Sequence, residues 1–225
     1  MRFLVTWLVM LAGCDTVFGL DRTGQPTDAK ADGDTRPSIT LTCADKAIID
    51  DELTDPAPCK PWGNAFANTG TSIEQTMGQL RIRTAAHSVG GGAGCTGIGP
   101  SRPLSAGGLM VVVSSVLETM GAYTAINFGD NTLQVVNDEI TFADQNGNTT
   151  YGKTPYKPAS MRVWRIYAQS GRVFAAYSAD GTTWFAVGDH AGSPPTDIPA
   201  LFGGDSIDVG TTTGTATYDR VVLCP

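Results

Sequence analysis

Four cysteines (Cys43, Cys59, Cys95 and Cys224) and two histidines (His87 and His190) are the obvious carriers of chemistry in the body of this chain. The cysteines are far apart and form no Cys-x-x-Cys pair, a spacing that argues against zinc, and two histidines add little to a metal reading. An even set points instead to two disulfides, with three possible pairings, formed in an oxidising compartment. Acid–base catalysis needs carboxylates that share one face. The closest approaches are Asp50-Asp51-Glu52 and Asp138-Glu139, and neighbours on a strand point to opposite sides. Gly92 to Gly97 spells Gly-x-Gly-x-x-Gly, but Gly99-Pro100 follows where a phosphate-receiving helix would have to begin. No Gly-x-Ser-x-Gly elbow occurs, and His87-Ser88 are adjacent along the chain rather than a nucleophile facing a base. The expectation is a protein that does no covalent chemistry.

Aromatic side chains suggest binding. Trp62, Trp164, Trp184, Tyr151, Tyr156, Tyr167 and Tyr177 offer flat rings that can cover the apolar face of a sugar while polar neighbours hold its hydroxyls. The segment 160–179 is apolar on both sides, with Met161, Val163 and Tyr167 on one and Trp164 and Ile166 on the other. Such a strand either lies between two layers or shows one side to a ligand. This places a groove near Trp164, with Arg162 and Arg165 available to hydroxyls or carboxylates and Trp62 and Tyr156 as further contacts. Trp184 and Tyr177 flank a turn and are expected to anchor it.

The elements that must position these groups are short strands. SITLTC (38–43), GQLRIRT (78–84), GLMVVVSSVLE (108–118), YTAINF (123–128), TLQVVN (132–137), EITFA (139–143), SMRVWRIYAQ (160–169), RVFAAYSA (172–179), TWFAV (183–187) and TATYDRVVLC (215–224) are rich in Val, Ile, Thr and aromatic residues. Ser170-Gly171 and Ala179-Asp180-Gly181 read as hairpin turns, and 27 glycines and 13 prolines fit many more. No long helical stripe is present. The fold class is all-β: a two-sheet antiparallel sandwich spanning 38–225. In such sandwiches the first and last strands often lie side by side, which favours Cys43–Cys224 and leaves Cys59–Cys95 to join a Pro-rich segment to a Gly-rich loop.

The chain begins MRFLVTWLVMLAGC. Arg2 precedes an apolar run too short to span a bilayer, the pattern of an export signal, and Leu11-Ala12-Gly13-Cys14 resembles the lipobox of bacterial lipoproteins. The resemblance implies cleavage after residue 13, a lipid on Cys14, and an extracytoplasmic, membrane-tethered protein of the bacterial envelope. Residues 14–37 are rich in Asp, Thr, Gly and Pro and read as a flexible tether. Without the leader, 14 basic side chains face 22 acidic ones, a charge near −8. That excess argues against nucleic acid and against electrostatic docking on anionic lipid.

Three segments, IIDDELTD with PWG and GQLRIR, the hairpin MRVWRIYAQSGRVFAAYSADGTTWFAVG, and the close LFGGDSIDVGTTTGTATYDRVVL, together resemble the concanavalin A-like (laminin-G-like) jelly-roll superfamily. Members bind carbohydrates, hydrolyse them or mediate adhesion. The β-glucan hydrolases among them carry a Glu-x-Asp-x-Glu strand, which this sequence lacks. The resemblance implies a carbohydrate or other extracellular ligand bound without catalysis. The alternatives are an adhesive envelope component with a protein partner and a divergent glycoside hydrolase. It also implies a structural calcium between the first and last strands, for which Asp51 and Asp219 are the acidic candidates.

Overall fold

Alternation of inward apolar and outward polar residues produces antiparallel strands that stack into two layers. The computed structural model describes residues 39, 43, 49–60, 63–68, 70–85, 91–97, 108–117, 122–192, 200–206 and 214–224, all inside the compact unit Ile39–Pro225. Cys14, the tether and Trp62 lie outside the described residues. In chain order the strands are β1 (Ile49–Asp51), β2 (Gly63–Ala67), β3 (Thr71–Thr76), β4 (Gln79–Thr84), β5 (Gly91–Gly97), β6 (Gly108–Ser115), β7 (Ala122–Phe128) and β8 (Asn131–Val136). There follow β9 (Glu139–Asp144), β10 (Thr150–Pro155), β11 (Val163–Gln169), β12 (Arg172–Ser178), β13 (Phe185–Ala191), β14 (Ala200–Ser206) and β15 (Gly214–Cys224). One sheet runs β13-β12-β11-β6-β15-β4-β3 with β1 added beside β15, and the other runs β10-β9-β8-β7-β14-β5-β2. Every pairing is antiparallel. The protein is a two-sheet antiparallel jelly-roll sandwich.

The core lies between the sheets. Leu80, Ile82, Leu109, Val111, Trp164, Ile166, Ala216 and Tyr218 from one layer meet Ile126, Phe128, Leu133, Ile140 and Phe142 from the other. Each large side chain so buried contributes about 1.5–3 kcal/mol. A smaller cluster, Met110, Val112, Val163 and Val222, sits on the outer side of the first sheet beneath Ile39, Cys43, Trp184 and Cys224. At one side of the sandwich the edge strands of the two layers nearly touch: a Cβ on Gly152 of β10 would collide with the Val187 carbonyl oxygen of β13, and one on Gly188 would lie 2.7 Å from the Tyr151 carbonyl oxygen.

Several expectations need correction. The strand beside β15 at the chain's beginning is β1, since Cys43 lies in a turn and Ile39 outside any strand. The Gly-rich stretch is not a loop but strand β5, paired with β2 and β14. Asp180-Gly181 is not a tight two-residue hairpin: β12 and β13 are joined by residues 179–184. Ser170-Gly171 is one, with both residues at positive φ, 51° and 73°. The disulfides close Cys43 to Cys224 (Cα–Cα 5.9 Å) and Cys59 to Cys95 (Cα–Cα 5.2 Å), a pattern of proteins held in oxidising, extracytoplasmic compartments.

Candidate functional site

Alternation along β11 separates the expected groove residues. Trp164 points inward and is 0% exposed. Its indole Nε1 donates to the Met161 carbonyl at 2.8 Å, and Tyr156 meets its ring edge-on at 6.1 Å. Trp164 and Tyr156 therefore build the core, and the expected groove at Trp164 does not exist: the inner side of β11 faces the other sheet. Arg162 precedes β11, its carbonyl accepting the Val113 N–H at 2.8 Å. Arg165 lies on the opposite side from Trp164, above Met110. Its guanidinium carbon is 4.0 Å from the centre of the Tyr167 ring and 4.2 Å from that of Trp184. Burial pulls the Arg165 guanidinium below its ordinary pKa, partly offset by Tyr167.

Asp51 and Asp219 are also parted. Asp51 pairs with Val221, a core residue, and its Oδ1 accepts the Leu53 N–H at 2.8 Å. Its neighbour Asp50 faces outward, where Arg220 Nε donates to it at 2.7 Å. Asp219 sits at the irregularity in β15, accepting from Gln79 Nε2 at 2.8 Å and from Ser114 Oγ. Asp51 and Asp219 thus engage different partners, and no group of three metal-ligating side chains occurs among the described residues.

Outward groups of the two sheets behave differently. On the β3–β4–β15 half of the first sheet the polar side chains satisfy one another: Arg83 pairs with Glu74 at 2.7 Å, Arg81 Nη2 donates to Gln79 Oε1 at 2.8 Å, and Gln79 in turn holds Asp219. The second sheet carries a row that crosses all seven strands, Phe66–Gly94–Gly203–Ala125–Gln134–Thr141–Lys153, each residue directly opposite the next. Six inter-strand steps of about 4.8 Å give it a length of roughly 29 Å. Three consecutive positions of this row (Gly94, Gly203 and Ala125) carry no side chain beyond a methyl group, so the row is a furrow. Exposure falls from Lys153 through half-buried Thr141 and Gln134 to buried Ala125 and Gly94, and rises again at Phe66, the profile of a concave surface.

The furrow is flanked by Asn127 and Thr132 on one side and by Tyr123 and Val136 on the other. Thr132 Oγ1 donates to Asn127 Oδ1, which leaves the Asn127 amide N–H groups as donors. Gln134 and Thr141 have no side-chain hydrogen bond among the described residues. Amides and hydroxyls without internal partners, beside a bare strip and an aromatic ring, suit a chain of hydroxyl-bearing rings. Sequence reasoning missed this site because it searched for aromatic residues, whereas the furrow is made by glycines. The cross-strand register of Gly94 and Gly203 was the signal needed, and no local pattern carries it.

Carboxylates are sparse there. Glu139 lies at the rim, 3.0 Å from Lys153 Nζ. The backbone of Asp205 is in the same transverse row, Asp205–Tyr123–Val136–Glu139, three steps or about 14 Å from it. Acid and nucleophile or base in glycosidases stand about 5–9.5 Å apart.

No family model and no curated protein matches this chain. Solved structures do. A putative β-glucanase from Mycobacterium abscessus superposes with a TM-score of 0.55 at 12% identity, over 79% of this chain and 99% of its own. The exoplasmic/lumenal domain of VIP36 in a Ca2+-bound form gives 0.52 at 13% identity, over 76% and 88%. The GH43 protein BlXynB from Bacillus licheniformis gives 0.53 at 11% identity over 78% of this chain, which spans only 39% of that protein. At these identities the likeness establishes the jelly-roll architecture.

Proposed function

We propose that the protein is a lipid-anchored envelope protein whose jelly-roll domain binds a glycan along the furrow of the second sheet without cutting it. The observation that carries this reading is the row of bare positions between Phe66 and Gln134, continued by Gln134 and Thr141, whose side chains make no hydrogen bond among the described residues. Similarity of fold to a putative β-glucanase is in keeping with a saccharide ligand.

The test is a glycan array probed with the full chain in mild detergent, followed by titration of the best oligosaccharide. Ala125→Leu places an isobutyl group on the floor, and Gln134→Ala removes an amide from it. Each is expected to lower affinity about tenfold, the worth of one or two hydrogen bonds, with the melting temperature kept. Failure to retain any glycan, or affinity unchanged from the parent in both variants, overturns the reading. Shorter sugars appearing on prolonged incubation would overturn its non-catalytic part.

A further inference from the structure

The outer side of the first sheet carries a second arrangement that the furrow does not use. Trp184, Arg165, Tyr167 and Phe174 stand in sequence as a stack. The guanidinium carbon is 4.2 Å from the indole centre and 4.0 Å from the Tyr167 centre, and Tyr167 stacks on Phe174 at 5.1 Å with 16° between the planes. Cross-strand pairing sets this order, because Tyr167 lies directly opposite Phe174 on β12 and opposite Gly108 on β6. Gly108 must be glycine there: a Cβ would lie 2.7 Å from the Tyr167 Cβ.

A guanidinium clamped between two rings has lost its freedom to turn, so it is preorganised for a flat, two-pronged acceptor. Other outward cations on this sheet are answered by carboxylates: Arg172 Nε donates to Asp189 at 2.6 Å, Arg220 Nη2 to Asp50 at 2.7 Å, and Arg83 to Glu74 at 2.7 Å. Arg165 has no carboxylate among the described residues. Its Nε and the Trp184 Nε1 are both sealed from solvent without an acceptor, while the side chain as a whole is only half-buried. With Nε sealed, the outer end of the guanidinium is the part open to a ligand. With a formal charge of −7 on the chain, an anion gains nothing from the protein's overall field. Whatever binds here must be held by local geometry.

We infer that the Trp184–Arg165–Tyr167 stack is an oxyanion site that takes the carboxylate of an acidic sugar. It rests on the reading above only in taking the ligand to be a glycan, and it lies on the other sheet from the furrow. The carboxylate accepts from the outer end of the Arg165 guanidinium, with the Trp184 ring holding the fork upright.

Titration calorimetry on the full chain in detergent, with tetragalacturonate, its methyl ester and inorganic sulfate as separate ligands, tests this. Tetragalacturonate is expected to bind about tenfold more tightly than the ester, whose sugar rings are the same. Arg165→Lys keeps the charge but loses the planar fork and is expected to abolish that preference. Trp184→Phe keeps a ring and should weaken the acid while leaving the ester unchanged, a check that survives if the lysine variant unfolds. Equal affinity for acid and ester, or a preference that persists in either variant, overturns the assignment. Sulfate competing as well as the sugar acid would overturn the choice of a glycan. Tetragalacturonate binding abolished by Ala125→Leu but indifferent to Arg165→Lys leaves the furrow standing and this site refuted.

Discussion

A single residue's side of a strand decides its use. Trp164 and Arg165 are neighbours, yet one fills the core and the other lies on the outer sheet surface, clamped by Tyr167 and Trp184. That 160–179 was apolar on both sides was legible in the sequence. Which side met the other sheet was not, because both alternatives satisfy the same alternation. Asp180, expected in a tight hairpin, instead organises the longer 179–184 connection. Its Oδ1 accepts the Thr182 and Thr183 N–H groups at 2.8 Å each and the Ser178 hydroxyl at 2.9 Å. The Thr183 and Thr182 amides, then Ser178, hold its carboxyl below the usual carboxylate range. A lowered folded value stabilises fully above the unfolded pKa of about 3.9 and is lost as pH falls toward the folded one. Melting curves of the parent and Asp180→Asn should therefore differ by a constant amount above about pH 5 and converge below about pH 4. A gap independent of pH would show that the Asp180 charge does not support the turn.

Elements rich in Val, Ile and aromatics were visible one by one; elements built of glycine were not. β4, β6 to β9, β11, β12 and β15 fall within a few residues of their expected places. β1, β2, β3, β5, β10 and β14 were not expected. In β5 and in Gly203-Gly204 of β14, glycines replace the side chains on which strand propensity depends, and partners on both sides hold these two strands extended. They supply two of the three bare positions of the furrow, so its floor was among the least legible parts of the fold. Glycines elsewhere are required by crowding. Gly152 faces the Val187 carbonyl across the gap between sheets, whereas Gly147, at φ 71°, has open space around its Cα. Gly152→Ala is expected to cost about 1–3 kcal/mol through forced separation of β10 and β13, and Gly147→Ala about 1 kcal/mol through backbone strain alone. Denaturant titration of the two variants checks the order. Equal losses would mean that the edge strands have room to part.

At the scale of the whole domain, the first and last strands meet: β15 takes β6 on one side and first β4, then β1, on the other. Pairing of the first strand with the last was foreseeable from the all-β architecture, though that strand begins at Ile49, 11 residues after the expected start at Ser38. The proposed membrane attachment falls to Cys14, for which the lipobox resemblance is the support. Cys14→Ala is expected to move the protein out of the carbonate-resistant membrane pellet, as measured by fractionation and immunoblotting, and to leave uncleaved precursor. Persistence in that pellet would sink the anchor.

The Cys43–Cys224 bond closes a loop of 181 residues. Tension arriving through the chain before Cys43 crosses that bond directly into the last strand. It cannot draw out the intervening residues one at a time, so a domain holding a ligand under flow is sheared as a block or not at all. Reducing that one bond would turn a fixed mooring into a line that lengthens under load.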